Sequence, residues 1–577
     1  MQNSDRVAFT CNGVPVEVEV IDGESLLSVL RDRLGLVSVK DGCAPQGQCG
    51  CCTVLVDGDA RVACVTPATR VADRTVATVE GLDAEVRNRL VDAFVATGGS
   101  QCGFCTPGIL VRAAALLSKG RTTRAAIDRG LAAHLCRCTG WCTVQDAIEA
   151  AAVEMPVPAL VRRDFDAAAQ RAELEGGSPQ RVGRDVPLGA AGFADDGAPR
   201  DALVAVPCPP GSYSESVDAA GLAWVVGESL LDARARAAKV QGRRTTVDAQ
   251  PPLELSALPI GGVRLATGWV EPAYLEPDAS WCAPGGEPAT PLACGGAFGG
   301  KTASPAPRAA RELADQLGRT VRVLFAREDV VRLGPKRPPM SAHAVLDGDV
   351  VRIVGVVAGP LGPFTAPLEW PYRLREEATW SSVVVPGPPV GTDARAVGLA
   401  ERTLLIEGAI AAAGADRSRL LSDDRSGGVL LDTCAPAPGG AVAGARVHVD
   451  SSTGAIQRVD VRVAAGDVLD EVVLRSYCIG AAHMALGWVL SEGLTVDRAS
   501  GEVLDLTIRS FGVLRAKDTP PIEVMIVNDA GAPLPRGSDA VFAAVAAATW
   551  NAIADVDGAR PERFPARETR AARRLRG

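Results

Sequence analysis

Sulfur is the first chemistry the sequence offers. The stretch DGCAPQGQCGCCTVLVDG places Cys43, Cys49, Cys51 and Cys52 within ten residues, and Cys64 follows in RVACVTP. Further on, QCGFCTPG carries Cys102 and Cys105, and LCRCTGW carries Cys136 and Cys138. A binuclear iron–sulfur cluster needs four thiolates from converging directions, and plant-type [2Fe–2S] loops read C-x4-C-x2-C with a distant fourth cysteine. The first set reads C-x5-C-x2-C with Cys64 as the distant fourth. Gly42, Gly47 and Gly50 give the backbone the freedom to wrap such a group closely. The second set is a C-x2-C pair and a C-x-C pair thirty residues apart. Zinc would accept four sulfurs equally well, and a C-x2-C pair alone also suits a redox dithiol.

The elements around these sulfurs can be read from periodicity. RVAFTCNGVPVEVEV (6–20) alternates and holds Asn12-Gly13, the signature of a β-hairpin. GESLLSVLRDRLG (23–35) has Leu26, Leu27, Leu30 and Leu34 at helical spacing, with Gly35 as a stop. A strand follows the first cysteine loop, completing a small α+β unit. From residue 82 to 155 four helical periods follow one another, with Thr106-Pro107 expected as N-cap and first helical residue of one of them. The second cysteine pairs fall at helix ends. Residues 156–185 read as a polar connection, and from about 186 short strands alternate with helices to the end.

Bulk properties narrow the setting. Of 577 residues 47% are apolar and 22% charged, with a net charge of −9. That balance argues against a nucleic-acid surface, which would need clustered Lys and Arg. Uninterrupted apolar runs fall short of the ~18 residues of a membrane span, and AVFAAVAAATWNAIADV (540–556) reads as a buried helix. The start, MQNSDRVAFT, carries no basic-then-apolar leader pattern, so the cytoplasm is the expected compartment. Eleven of the 16 cysteines lie in residues 11–142, a distribution that suits metal binding rather than a disulfide scaffold.

The motifs GCAPQGQCGCCTVLVDG, ACVTP, QCGFCTPG and LCRCTGW, in this order, resemble the two-cluster module of the xanthine oxidase/aldehyde oxidoreductase family, the molybdenum hydroxylases. The resemblance covers residues 5–155. It implies an α+β multidomain chain: a β-grasp ferredoxin-like domain (1–81), a four-helix [2Fe–2S] domain (82–155), a linker (156–185) and a shortened, mixed α+β molybdopterin-domain-like region (186–577). It implies Cys43, Cys49, Cys52 and Cys64 as ligands of one [2Fe–2S] cluster, and Cys102, Cys105, Cys136 and Cys138 as ligands of the other. The family loop has one residue fewer between its first two cysteines, and Cys51 stands as a spare sulfur. The rival assignment, with Cys51 as ligand in place of Cys52, breaks the x2 spacing. His134 is expected on the bundle surface.

Later segments carry the resemblance unevenly. AYLEPD (273–278) and CGGAFGGK (294–301) resemble the approach to the molybdenum cofactor and its glycine loop. The implied cofactor contacts are Gln101, Gly295, Gly296, Ala297, Phe298, Gly299 and Arg395. Where the family has a Gly-Gln pair this chain has Ser476-Tyr477, and Arg395 stands without the family's glycine pair. The family's glutamate base aligns with Ala543 by one count and Asp539 by another; Asp539 is thus the candidate base, while RGSD also reads as an ordinary helix cap. The resemblance implies an oxidoreductase acting on an aldehyde or N-heterocycle, passing electrons through both clusters to an external acceptor or separate flavoprotein, with no FAD domain in this chain. An oligomer is expected. The alternative is a non-catalytic electron-transfer and scaffold subunit that docks a catalytic partner.

Overall fold

The computed structural model describes residues 4–153, 163–208, 216–237, 242–291, 295–422 and 424–575. Cys294 therefore lies outside the described residues. The hairpin forms as read: β1 (Ser4–Cys11) pairs antiparallel with β2 (Val14–Ile21) through a turn in which Asn12 and Gly13 both have positive φ. Helix α1 (Leu26–Ser28), capped by Ser25, runs on as a π-helical turn (Val29–Arg33). β3 (Thr53–Val56), β4 (Asp59–Val62) and β5 (Thr75–Ala77) complete a sheet of order β2-β1-β5-β3-β4, with β5 parallel to β1.

The helical region holds α2 (Ala84–Thr97), α3 (Thr106–Leu117), α4 (Arg124–Gly130) and α5 (Cys142–Ala152). Cys105, not Thr106, is the N-cap of α3, and the Thr106 hydroxyl instead meets Ser100 Oγ at 3.0 Å. The stretch expected to be only a linker contains a helix, α6 (Phe165–Gly176). Asp164 caps its start and Gly177, with φ +71°, ends it. Its Ala168 and Ala172 are fully buried, because two small residues a turn apart let the helix lie flat against its neighbour.

Three more sheets follow. One runs Ala279–Cys282, Val321–Leu324, Leu203–Pro207, Ala223–Gly227, Ser216–Val217, and carries α7 (Leu230–Arg236) beside it. Another has the order Arg375–Ser382, Val350–Val357, Met340–Asp347, Val263–Thr267, Arg563–Phe564. The last comprises Thr433–Pro436, Val442–Val449, Ile456–Ala464 and Ile522–Ile526. Between these lie two long apolar helices, α8 (Glu471–Leu490) and α9 (Gly537–Asp557). By length and composition both could cross a membrane, but 89% and 72% of their apolar windows are buried within the protein. They are central struts of the largest core, with Trp488 stacked on Phe542 at 5.5 Å.

Candidate metal centres and cofactor site

The first cysteine loop is built by turns that only its glycines make easy. Gly47 and Gly50 have φ of +65° and +73°, and a side chain at Gly50 would meet the His134 ring at 2.5 Å. This loop folds the sulfurs inward: Cys43, Cys49, Cys52 and Cys64 are each at most 4% exposed. The Cys43 sulfur accepts backbone N–H groups of Gln48 and Cys49, both at 3.3 Å, and Cys52 Sγ accepts that of Cys64 at 3.4 Å. Side-chain contacts run Cys49–Cys43–Cys64–Cys52. Cys51 extends this chain at its Cys49 end: its side chain contacts that of Cys49, its thiol points to Cys49 O at 3.9 Å, and Cys102 and Cys105 lie near enough to interact with it electrostatically.

The second set closes at the ends of α3 and α5. Cys138 Sγ lies 3.4 Å from Cys102 Sγ, Cys136 contacts Cys105 and Cys138, and Thr139 Oγ1 stands 3.1 Å from Cys136 Sγ. Hydrogen bonds from Cys49 and from Cys105 pull Cys43 and Cys136 well below the ordinary thiol range, so each set favours a thiolate. Among the described residues no group of three or more His, Cys, Asp or Glu is placed to hold a single metal ion. The sulfurs form extended sets of pairwise contacts, a shape compatible with two irons held by two thiolates each.

The two sets are joined through protein. Leu135 N donates to Cys49 O at 2.9 Å, and His134 meets Thr53 Oγ1 at 3.1 Å. His134 is thus 3% exposed, not on the bundle surface, because it fills the contact between the two domains; burial holds it down to about 3. Arg137, between Cys136 and Cys138, donates to both Glu492 oxygens at 2.6 and 2.8 Å and to Pro272 O at 2.9 Å. Sequence reasoning missed this pair, although an arginine inside C-x-C was visible. It ties the second sulfur loop to the C-terminal half.

The remaining expected site residues do come together. Gly295, Gly296, Phe298 and Gly299 all have positive φ, and the loop rests on the second set: a Cβ at Gly296 would lie 2.8 Å from Cys138 Sγ. Ala297 is buried in the core beneath. Gln101 donates to Cys138 O at 3.0 Å and to Ser476 Oγ at 2.8 Å, leaving its own Oε1 buried without a partner. The Arg395 guanidinium stacks 3.7 Å from the Phe298 ring centre and pairs with Asp539 at 3.3 Å. Asp539 also meets Arg536 at 3.5 Å. It is not the cap of α9, a position Arg536 occupies, but sits in the first turn. Burial raises the Asp539 carboxyl above its ordinary range, against the pull of Arg395 and Arg536.

Comparison with known proteins follows this geometry. Residues 9–74 match a 2Fe-2S iron-sulfur cluster binding domain, residues 78–149 a [2Fe-2S] binding domain, and residues 432–520 a molybdopterin cofactor-binding domain. The xanthine dehydrogenase iron-sulfur-binding subunit of Escherichia coli O157:H7 is 40% identical over 147 residues, covering 24% of this chain and 91% of that one. The alpha subunit of isoquinoline 1-oxidoreductase from Brevundimonas diminuta is 41% identical over 150 residues, covering 26% of this chain and 98% of its own. The chain belongs to the xanthine oxidase/aldehyde oxidoreductase family, the molybdenum hydroxylases. The fold of the whole agrees: aldehyde oxidoreductase from Desulfovibrio gigas superposes with a TM-score of 0.75 over 97% of this chain and 99% of that one, at 17% identity.

As a molybdenum hydroxylase-type oxidoreductase, the chain joins two [2Fe–2S] domains to a molybdopterin-binding region, and no FAD domain is indicated between them. The cysteine sets fit the clusters. The residues gathered around Arg395 do not fit a molybdopterin in this arrangement. A cradle for a pterin would leave space where the glycines lack side chains, yet those places are filled: by Asp393 O at Gly299, by Glu276 at Gly295, by Cys138 at Gly296. The free volumes beside Arg395 and beside Gln101 are about 30 and 20 Å3, whereas organic ligands of this size take pockets of ~300 Å3 or more. Helix α6 closes the rest. Its buried Arg171–Glu175 pair reaches Leu534 O and Ser538 N, and Phe298 packs edge-on to the buried Tyr477 at 5.9 Å.

Proposed function

We propose that this chain conducts electrons for molybdenum hydroxylation. They enter at the Cys102/Cys105/Cys136/Cys138 set, cross to the Cys43/Cys49/Cys52/Cys64 set and leave to an external acceptor. Bound clusters supply reversible one-electron chemistry. The observation that carries the reading is the direct contact of the two sulfur loops: Leu135, next to Cys136, donates to Cys49 O at 2.9 Å, and Cys43, Cys49 and Cys51 share one buried cluster with Cys102 and Cys105. The chain's residues exclude water from both sets, hold the thiolates by backbone N–H groups and fix the spacing through the Leu135–Cys49 bond. Dense reduced cysteine suits the cytoplasm. A separate flavoprotein or catalytic subunit is the partner this reading calls for, within an oligomer.

A second reading has a specific observation behind it. The segment 432–520 matches a cofactor-binding domain, and the Gly295–Gly299 loop and Gln101, whose Oε1 is unpartnered, both approach Cys138. In that reading the chain itself oxidises an aldehyde or N-heterocycle, with Asp539 released from its arginines to act as base. Metal analysis of the purified chain separates the two. About four irons per chain are expected for two binuclear clusters. Molybdenum far below one per chain, from a host that makes the cofactor, supports the conducting role; about one molybdenum with a pterin supports the second reading.

A further inference from the structure

The first sulfur set borders a cleft that neither reading uses. About 470 Å3 in volume, it lies between the ferredoxin-like domain and the sheet containing Leu203–Pro207. Small organic ligands bind in pockets of ~300–1,000 Å3. Cys43 and Cys64 line it directly, so an occupant would stand against two ligands of the first cluster. Its lining mixes charged side chains with an aromatic and apolar part, where Phe104 and Phe193 meet edge to face at 5.1 Å and Phe325 and Leu231 also contribute. Arg327, 1% exposed, donates to Gly42 O and Leu275 O, while its Nη1 finds no partner. A buried donor of this kind is costly unless something accepts from it. The charged lining holds more carboxylates than guanidinium groups, which disfavours a phosphate-bearing nucleotide and favours an uncharged acceptor.

We propose that this cleft binds a small neutral quinone, which is reduced there by electrons leaving through the first sulfur set. The proposal rests on the assignment of the first cluster to Cys43, Cys49, Cys52 and Cys64. Two electrons, delivered singly from the donor side, and two protons convert the quinone to the hydroquinone; two one-electron oxidations within the protein balance them. The ring lies against the Phe104 and Phe325 side chains of the lining. Glu276, in the same lining and paired with Lys301 at 2.7 Å, is held up to about 7 by burial and can pass a proton.

The test uses duroquinone with the full chain. Calorimetry on the oxidised protein should show saturable binding, and the dithionite-reduced protein should be reoxidised at a rate that saturates with quinone. Leu231→Trp narrows the cleft from its half-buried rim, and Ala235→Trp does so from an exposed position that spares the fold. Both should weaken binding and slow low-quinone reoxidation about tenfold or more, equivalent to ~1.4 kcal/mol. Ferricyanide oxidation and the EPR signals of both clusters should not change. A rate that rises linearly with quinone and is the same in both variants, with the first cluster's signal intact, overturns the acceptor site alone. Absence of that signal from the unmodified chain removes the cluster assignment and the acceptor site together.

Discussion

Cys51 and Cys52 are neighbours in sequence and belong to different cores. Cys52 packs with Val54 and Cys64 inside the ferredoxin-like sheet, whereas Cys51, like Cys43 and Cys49, packs among the residues of the helical domain. On the ligand set proposed above, Cys52→Ala is expected to lose the first cluster, about two irons per chain, while Cys51→Ala keeps both; iron content and low-temperature EPR read the difference. A buried histidine sets a pH dependence. Burial holds His483 down to about 4, with Nε2 bonded to Leu514 O at 3.1 Å. Its folded value lies below the unfolded one of about 6.5, so the neutral form contributes stability above that pH. The contribution is lost as pH falls from about 6.5 toward 4, reaching about 3 kcal/mol. His483→Gln should flatten this part of the difference in urea midpoints against pH. At this scale the sequence was most legible in its two cysteine-rich stretches, which fall within the two matched iron-sulfur domains. It was least legible at Asp539, because whether a carboxylate is free or clamped depends on Arg395, distant in sequence, and on how the Arg536 backbone turns.

The hairpin, α3 and α5 follow from local signals, since turn residues and apolar spacing act over a few positions. Two elements did not. Helix α6 lay hidden in a stretch that looked like a polar connection, because a helix whose apolar face is mostly alanine gives little contrast in sequence. The cap of α3 fell on Cys105, so a sulfur of the second set stands at a helix N-terminus, where partial positive charge favours a thiolate. Helix α3 also presses on the first sulfur loop. A Cβ at Gly108 would stand 2.8 Å from Cys51 O, a backbone atom that cannot rotate away. Gly108→Ala should cost about 1–3 kcal/mol by overpacking, seen as a lower thermal midpoint. It should also perturb the first cluster's EPR more than the second's, although Gly108 follows a second-set ligand by three residues.

Across the whole molecule, the N-terminal and C-terminal halves are bolted together through the Arg137–Glu492 pair, whose side chains are 4% and 2% exposed. Breaking a buried pair by removing one partner costs about 3–5 kcal/mol, because the other charge stays buried. Glu492→Ala is expected to lower stability by that order in denaturant titrations and to change the second cluster's EPR line shape. The C-terminal half was the part least readable from sequence. Its family segments were recognisable one by one, but their closure around Phe298, Arg395 and Tyr477 is a property of packing between segments far apart in the chain.

The same closure sets an order of events during biosynthesis. Cys102, Cys105, Cys136 and Cys138 are each at most 5% exposed, and they are roofed by residues that leave the ribosome hundreds of positions later: Gly296, Gly480 and Glu492. Iron and sulfide delivered to a finished chain would meet a shut door. Delivery to the second centre thus belongs to the interval when the first 153 residues are folded and the rest is still being made. A chain completed under iron starvation should resist later reconstitution of that centre until it is unfolded.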